Sequence, residues 1–178
     1  MTTQEPIKLV AFKTEYIQVY KECFGNPIWR QLYGVDKGDF NFKYFIENSV
    51  LVQYPSVERL IILDKTDNPI FFAHLCNENE TCVVVGGIIP SLINSGRGIY
   101  CSLFIFDYIF KSKNTKSISV LIKKLNSTSL KMVQSFGFRA IEKTNSVDDT
   151  TISLQLKRED FPNTFARELL SKSKYEKK

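Results

Sequence analysis

Short runs of apolar and β-branched residues, separated by turn residues, divide much of the chain into strands. Seven strands are predicted, at 7–12, 59–64, 70–76, 81–89, 117–122, 138–141 and 151–156. The segments 66–69 and 77–80 are rich in Asp, Asn, Thr and Pro, which favour turns. Strands two to four are therefore expected to form an antiparallel meander.

Apolar residues spaced three or four apart predict four helices between these strands. The first is capped by Thr14 and stopped by Gly-Asn-Pro at 25–27, and Asp39 opens the second. The fourth spans 126–136 and ends before Gly137, a residue typical of the position after a helix. The third follows Gly98, and its apolar face consists of Ile99, Leu103, Phe106 and Phe110.

The order of these elements predicts an α/β fold with a mixed, mostly antiparallel sheet flanked by helices. The strand at 117–122 is almost entirely apolar, as expected when both faces are covered, and it follows a helix. One parallel crossover is therefore expected in the second half. Residues 1–171 are predicted to form a single domain. The tail 172–178 has four lysines and one glutamate and is expected to be disordered.

Composition and charge narrow the class of protein. A chain of 178 residues that is 43% hydrophobic is long enough and apolar enough to bury a core. The net charge of +5 is concentrated in the tail, so neither a basic stripe for nucleic acid nor a nucleic-acid partner is expected. The N-terminus lacks the pattern of a signal peptide. The apolar run near 99–110 contains Asp107 and is too short for a bilayer, so a cytoplasmic location without membrane contact is expected.

Four cysteines and one histidine form no metal-ligand pattern. The cysteines contain no Cys-x-x-Cys pair, and a zinc site with a single histidine is improbable, so no metal is expected. Free thiols in a reducing compartment explain these residues more simply.

The segment 83–98 carries the clearest chemical signal. A strand leads into a loop whose glycines, Gly96 and Gly98, open directly into a helix. Such a loop presents backbone N–H groups and the positive end of a helix dipole to one point, which suits a pyrophosphate. Gly86 and Gly87 interrupt the strand itself, which indicates either a bulge without a ligand or the close approach of another backbone, such as an extended ligand arm.

At these residues the chain resembles the GNAT superfamily of acyltransferases, over roughly 59–156. The family's loop motif, Q/R-x-x-G-x-G/A, falls on Ile93, Gly96 and Gly98, and its second motif, an Asn followed by a helix and Gly-Phe, falls on Asn126 and 137–138. The resemblance implies an N-acyltransferase that uses acetyl-CoA as co-substrate. The residues that it implies for cofactor binding are Ile88, Ile89, Asn94, Ser95, Gly96, Arg97, Gly98 and Asn126.

Two positions depart from the family pattern. Ile93 replaces the leading Gln or Arg of the loop motif, and Val133 occupies the position where many members place a tyrosine that protonates the departing thiolate. A thiolate with a pKa of about 8.5 is a tolerable leaving group near neutrality without an acid. The departures also leave open the alternative that the protein is a non-catalytic domain with an acyl-CoA-binding or regulatory role.

The base that would deprotonate the acceptor amine has several candidates. His74 and Glu78 are the principal ones, with Glu80, Asp36 and Asp39 as further options. Each of them could equally be solvated, half-buried or a helix cap, and a base can also act through a chain of water molecules.

Acceptor specificity is expected to come from the N-terminal helices, where aromatic residues concentrate. Rings with polar tips suit a sugar or aromatic acceptor, although they also suit a plain core. The expected partner is a small-molecule primary amine such as an amino sugar, with a protein N-terminus as the alternative acceptor and a homodimer as one option for assembly. A nucleic-acid-binding domain that uses the tail is the third, weakest function. The rings concerned are Trp29, Tyr33, Phe40, Phe42 and Tyr44.

Overall fold

The computed structural model describes residues 7–33, 41–45, 47, 56–141 and 149–161. Asp36, Asp39, Phe40 and the tail 172–178 lie outside the described residues, as do the side chains of Phe42 and Phe45.

The described strands form one mixed sheet in which all seven predicted strands are present. The sheet order is β1-β2-β3-β4-β5-β7-β6, and each neighbouring pair is antiparallel except β4 and β5, which are parallel. This confirms the predicted meander and crossover. The strands are β1 Lys8–Ala11, β2 Val57–Leu63, β3 Pro69–Glu78, β4 Thr81–Ile88, β5 Ser117–Lys123, β6 Arg139–Ala140 and β7 Thr151–Lys157.

Five α-helices are described, one more than the pattern predicts. The additional helix is α2, and it begins at Pro27, the residue that the sequence predicts as a helix stop. Proline is favoured at the first helical position, and Asn26 Oδ1 accepts a hydrogen bond from Trp29 N at 3.0 Å. The helices are α1 Ile17–Gly25, α2 Pro27–Tyr33, α3 Phe42–Phe45, α4 Arg97–Ser112 and α5 Ser127–Ser135.

The N-terminal caps also differ from the predicted ones. Thr14 does not cap α1; it begins a single 3₁₀ turn, and α1 starts three residues later, after Tyr16, without a side-chain cap. At α3 the described cap is Asn41, whose Oδ1 accepts from Tyr44 N at 2.9 Å.

The hairpin turns follow the predicted chemistry with one change of length. Asp64 Oδ1 accepts from the N–H groups of Thr66 and Asn68, which fixes the β2–β3 turn. β3 extends through Glu78, so the predicted turn at 77–80 shortens to two residues, with Asn79 at a φ of 54°.

The two faces of the sheet bury two separate clusters of apolar side chains. Successive side chains of a strand point to opposite faces, so Phe71 and Leu75 of β3 pack under α4 and α5 whereas Phe72 packs under α1 and α2. Ile118 of β5 and Ile105 of α4 complete the centre of the larger cluster. None of the described helices has the length and apolarity needed to cross a bilayer.

The parallel pairing between β4 and β5 is only four residues long. Thr81 to Val84 pair with Ser117 to Val120, and no pairing continues beyond Val84 among the described residues. Both strands run on, to Ile88 and Lys123. They therefore leave a gap in the middle of the sheet, open at the end where β4 leads into α4.

Candidate functional site

A cleft of about 410 Å³ occupies the gap between β4 and β5. Its rims are 84–86 of β4 and 120–123 of β5, α4 and α5 line one side, and the end of α2 lines the other. Lys123 is the only charged residue among the described lining residues, so the walls are largely apolar. An apolar cleft with a few placed polar groups is the usual form of a small-molecule site.

The backbone of β4 supplies donors to this cleft. Ile89 N donates to Ile70 O of β3 at 3.0 Å, and N–H groups alternate in direction along a strand. Gly86 and Ile88 therefore direct their N–H groups away from β3, towards the gap. Ile88 O is already bonded by the Trp29 indole at 3.0 Å. The structure thus leaves the N–H of Ile88 for a ligand, whereas that of Ile89, predicted to bind the cofactor, is occupied.

The glycines inside β4 have explanations within the protein. The β3–β4 register is regular through both positions, so there is no bulge; the described irregularity lies between Ile62 and Leu63 in β2. A Cβ on Gly86 would lie 2.5 Å from Phe72 O. A Cβ on Gly87 would lie 2.6 Å from both the Trp29 ring and the Tyr33 hydroxyl. The backbone that approaches Gly86 is that of β3, and Gly87 is approached by two side chains of α2 instead of a backbone.

The loop before α4 has the form expected of an anion site. Gly96 has a φ of 80°, which favours glycine, and Asn94 has a φ of 67°. Ser95 Oγ accepts from Arg97 N, the first N–H of α4, at 3.2 Å. Within the described part of the chain, the N–H groups of Gly96 and Gly98 have no acceptor. Two donors are therefore available at the positive end of a 16-residue helix.

Gly98 lies where this loop meets the cleft. A Cβ there would lie 3.6 Å from Ile88 Cγ2, an ordinary contact, and its φ lies outside the positive range. Neither packing nor backbone geometry therefore requires glycine, although glycine in a helix costs about 0.5–1 kcal/mol relative to alanine. Of the predicted cofactor residues, Gly98 and Asn126 line the cleft, and 94–97 directly precede Gly98. Arg97 lies within electrostatic range of Asp64 and Cys101.

Asn126 is 7% exposed and serves as the cap of α5. Its Oδ1 accepts from Ser129 N at 3.2 Å. In the regions that the structure covers, its Nδ2 has no hydrogen-bond partner, and the residue lines the cleft. One side chain can thus cap the helix with its oxygen and offer a ligand its nitrogen. Gly137, at a φ of 92°, ends α5 as predicted.

The two departures from the family pattern make apolar contacts, and Val133 is buried whereas Ile93 is partly buried. Val133 is 3% exposed, belongs to the larger cluster and lines the cleft. Ile93 packs against the smaller cluster under α1 and α2. Ser102 and Ser129 also line the cleft but were not predicted. Ser102 stands one helical turn after Gly98, so the helical period placed it on the same side.

His74 lies beside the cleft without lining it. It pairs with Val85 across β3 and β4, and its Nε2 is 2.7 Å from the Tyr20 hydroxyl. Burial, reinforced by the Arg59 guanidinium, lowers the pKa of His74 to about 4. The ring is therefore neutral at pH 7. With so low a pKa it is a weak acceptor for an ammonium proton.

The two described carboxylates among the predicted bases, Glu78 and Glu80, do not line the cleft. Glu78 ends β3 opposite Thr81, at the closed end of the gap, four residues and about 13 Å along the strand from His74. Glu80 forms an ion pair with Lys116 at 2.5 Å. The structure thus does not bring His74 and Glu78 together. No group of three or more described His, Cys, Asp or Glu side chains could hold a metal ion.

The end of α2 covers the gap from the side opposite Val133. Trp29 and Tyr33 stack with ring centroids 3.7 Å apart and an interplanar angle of 6°, and Leu32 and Tyr33 line the cleft. The concentration of aromatic residues marked this region. Its contact with β4 depends on residues more than fifty positions away, and no sequence signal gave it.

Comparison with solved structures identifies this architecture. Spermidine N-acetyltransferase from Vibrio cholerae, in complex with CoA and spermine, superposes with a TM-score of 0.70 at 13% identity, covering 88% of this chain and 98% of that one. An aminoglycoside acetyltransferase in complex with coenzyme A gives a TM-score of 0.70 at 15% identity, covering 89% and 98%. An uncharacterized protein from Bacillus halodurans gives 0.75 at 9% identity, covering 93% and 91%.

Neither a protein-family model nor a curated protein matches the sequence. At identities this low the likeness shows the fold, and the chain has the GNAT acyltransferase fold that its glycine loop and Asn126 helix resemble.

Proposed function

We propose that this protein is an acyl-CoA-dependent N-acyltransferase that transfers an acetyl group from acetyl-CoA to a primary amine of a small molecule. The observation that carries the proposal is the gap between β4 and β5, which leads from the N–H groups of Gly96 and Gly98. Neither group has an acceptor among the described residues. Two structural neighbours were crystallised with CoA, one of them together with spermine, which supports a CoA thioester and a small-molecule amine here.

The residues present fit CoA. The N–H groups of Gly96 and Gly98 would hold the pyrophosphate, as helix N-termini commonly do. The N–H group of Ile88 and the Nδ2 of Asn126 would hold the amides of an extended arm. When bound, acetyl-CoA supplies the acetyl group as a thioester. The apolar walls exclude water around it.

Water is favoured over His74 as the acceptor of the amine proton. The Nε2 of His74 already bonds the Tyr20 hydroxyl, and the residue does not line the cleft, whereas water reaches an amine at the cleft mouth and passes its proton to bulk solvent. If water serves, His74→Gln retains kcat/KM above pH 6. Loss of kcat/KM across the whole pH range, in a variant that stays folded, would restore His74 as the base.

Binding and turnover are tested separately. Calorimetry with CoA should show binding that Gly96→Val abolishes without unfolding the protein. Thiol release from acetyl-CoA should then appear with at least one member of a panel of amino sugars, polyamines and aromatic amines. Absence of CoA binding contradicts the proposal.

A binding-only domain is the second candidate, favoured by the buried Val133 in the acid position. CoA binding without thiol release across the whole amine panel would support this candidate over the enzyme.

We also propose a cytoplasmic location. Cys23, Cys76, Cys82 and Cys101 are free thiols in the structure, which suits a reducing compartment.

A further inference from the structure

Tyr33 contributes a phenol ring to the lining of the cleft. Tyr33 is the last residue of α2, lines the cleft and stacks on Trp29, which lies against Gly87. Its oxygen is 2.6 Å from the point where a Cβ on Gly87 would stand. Among the described residues this hydroxyl makes no hydrogen bond. It is also the only tyrosine among the described lining residues.

The hydroxyl stands where the reactive end of an arm would arrive. An arm held at Gly98 runs along β4 past Ile88 towards Gly86, where the gap narrows to the last paired residue, Val84. Tyr33 lies against Gly87, between Ile88 and Gly86. Val133 lines the same cleft from the α5 side and offers no donor.

We propose that Tyr33 is a catalytic residue whose hydroxyl donates a hydrogen bond to the sulfur of the bound CoA thioester. This inference rests on the proposed function. As the amine nitrogen bonds to the acyl carbon, the carbon–sulfur bond breaks and its electron pair passes to sulfur. The phenol stabilises that charge and keeps its proton, while the proton lost by the amine goes to water.

The fixed position of the Tyr33 ring and the protonation state of its hydroxyl both suit a hydrogen-bond donor that keeps its proton. The parallel stack on Trp29 and the Trp29–Ile88 hydrogen bond hold the ring in place, so little reorganisation is needed. Burial raises the pKa of Tyr33, which keeps the phenol protonated across the working pH range.

The test is Tyr33→Phe, which removes one oxygen that has no partner in the described protein. We expect kcat to fall between ~10-fold and ~100-fold, the range for a hydrogen bond to a charged group, with little change in the KM for acetyl-CoA. The matched control is Tyr108→Phe, which removes a hydroxyl that donates to Glu58 Oε1. Tyr108 does not line the cleft, so this variant should keep the wild-type kcat.

A second readout does not depend on turnover. The pKa of the thiol of bound CoA, obtained from CoA affinity against pH, should be about one unit higher in Tyr33→Phe than in wild type. Affinity for desulfo-CoA should be unchanged. An unaltered thiol pKa together with wild-type kcat overturns the role of Tyr33 and leaves the proposed function intact. Failure of the wild-type protein to bind CoA overturns the proposed function itself.

Discussion

Two regions around the gap use glycine and polar side chains in opposite ways. In the first, the ring cluster (Tyr20, Trp29, Tyr33, Phe72 and His74), the protein fills its own space. Gly87 is covered by two rings, Gly86 meets a β3 carbonyl, and Tyr20 bonds the histidine. In the second, the open rim (Gly96, Gly98 and Asn126), the described protein leaves the space beside the glycines unfilled or loosely filled and provides no acceptor for their N–H groups or for Asn126 Nδ2.

The difference teaches which glycines indicate a ligand. Where other atoms of the protein occupy the position that a Cβ would need, the fold itself requires glycine. Where a Cβ would fit and φ is ordinary, the fold does not require glycine. By this criterion the fold explains Gly86 but neither Gly25 nor Gly98, and of the latter two Gly98 is the one that lines the cleft. The ring cluster should therefore govern stability, and the open rim should govern affinity.

The largest expected effect on stability follows from substituting Gly86, in β4. Gly86→Ala places a Cβ 2.5 Å from Phe72 O and 3.2 Å from Ala73 Cα, and backbone atoms cannot move aside cheaply. We expect a loss of about 2–3 kcal/mol in the free energy of unfolding, measured with urea. Gly25→Ala, whose Cβ meets no atom within 4 Å, is the matched control. Equal stability of the two variants would contradict the distinction between the regions.

Acid should weaken the ring cluster through His74. The pKa of His74 is about 4 in the folded protein and about 6.5 in the unfolded chain. Between these two pH values the unfolded chain binds a proton that the folded protein does not bind. The contribution of neutral His74 to the free energy of unfolding is fully present above about pH 6.5 and is lost as the pH falls towards 4. By pH 5 the loss should be at most about 2 kcal/mol.

Urea unfolding of wild type and His74→Gln at pH 8 and pH 5 isolates this contribution. The same loss between the two pH values in both proteins would show that His74 does not cause it.

The cap and the ligand donor of Asn126 can be separated. Asn126→Ala should lose about 1 kcal/mol of stability and also affinity for CoA. Asn126→Asp keeps an oxygen for Ser129 N but replaces the Nδ2 donor with an acceptor, so it should retain stability and lose affinity. Calorimetry and urea unfolding on both variants check this. If affinity survives in Asn126→Asp, the residue is a cap only.

The smallest stability change, and the sharpest contrast, is expected at Gly98. Gly98→Ala should stabilise the protein by about 0.5–1 kcal/mol, because alanine is the better helix former and its Cβ has room beside Ile88. CoA affinity should fall at the same time, since the added methyl group occupies the approach to the N–H. A variant that is more stable and binds CoA equally well would remove Gly98 from the site.

Local patterns predicted most of the fold and part of the site. Runs of apolar and β-branched residues between turn residues predicted all seven strands. Asn126 and Gly137 predicted both ends of α5, because helix caps depend on residues that are neighbours in the sequence. Pro27 was misleading, since proline after Gly-Asn both stops one helix and starts the next. Gly86 and Gly87 were visible as unusual, but the atoms that exclude a Cβ belong to Phe72, Trp29 and Tyr33.

The position of Tyr33 in the cleft could not be read from the chain. It depends on how α2 docks against β4, through the bond from the Trp29 indole to Ile88 O, which joins residues 59 positions apart. Periodicity describes which face of a helix is apolar, but it does not say which part of the sheet that face will meet.

The four-residue ladder between β4 and β5 also sets how the sheet can open. Two locally closed units, the β1–β4 meander and the β5–β7 group, meet through these few rungs and through packing of α4. Amides at this seam should exchange with solvent through smaller fluctuations than amides between β2 and β3. A ligand that forms hydrogen bonds with both β4 and β5 would replace the pairing that is absent beyond Val84. The protein with ligand bound would then unfold more nearly as one cooperative unit than the protein without it.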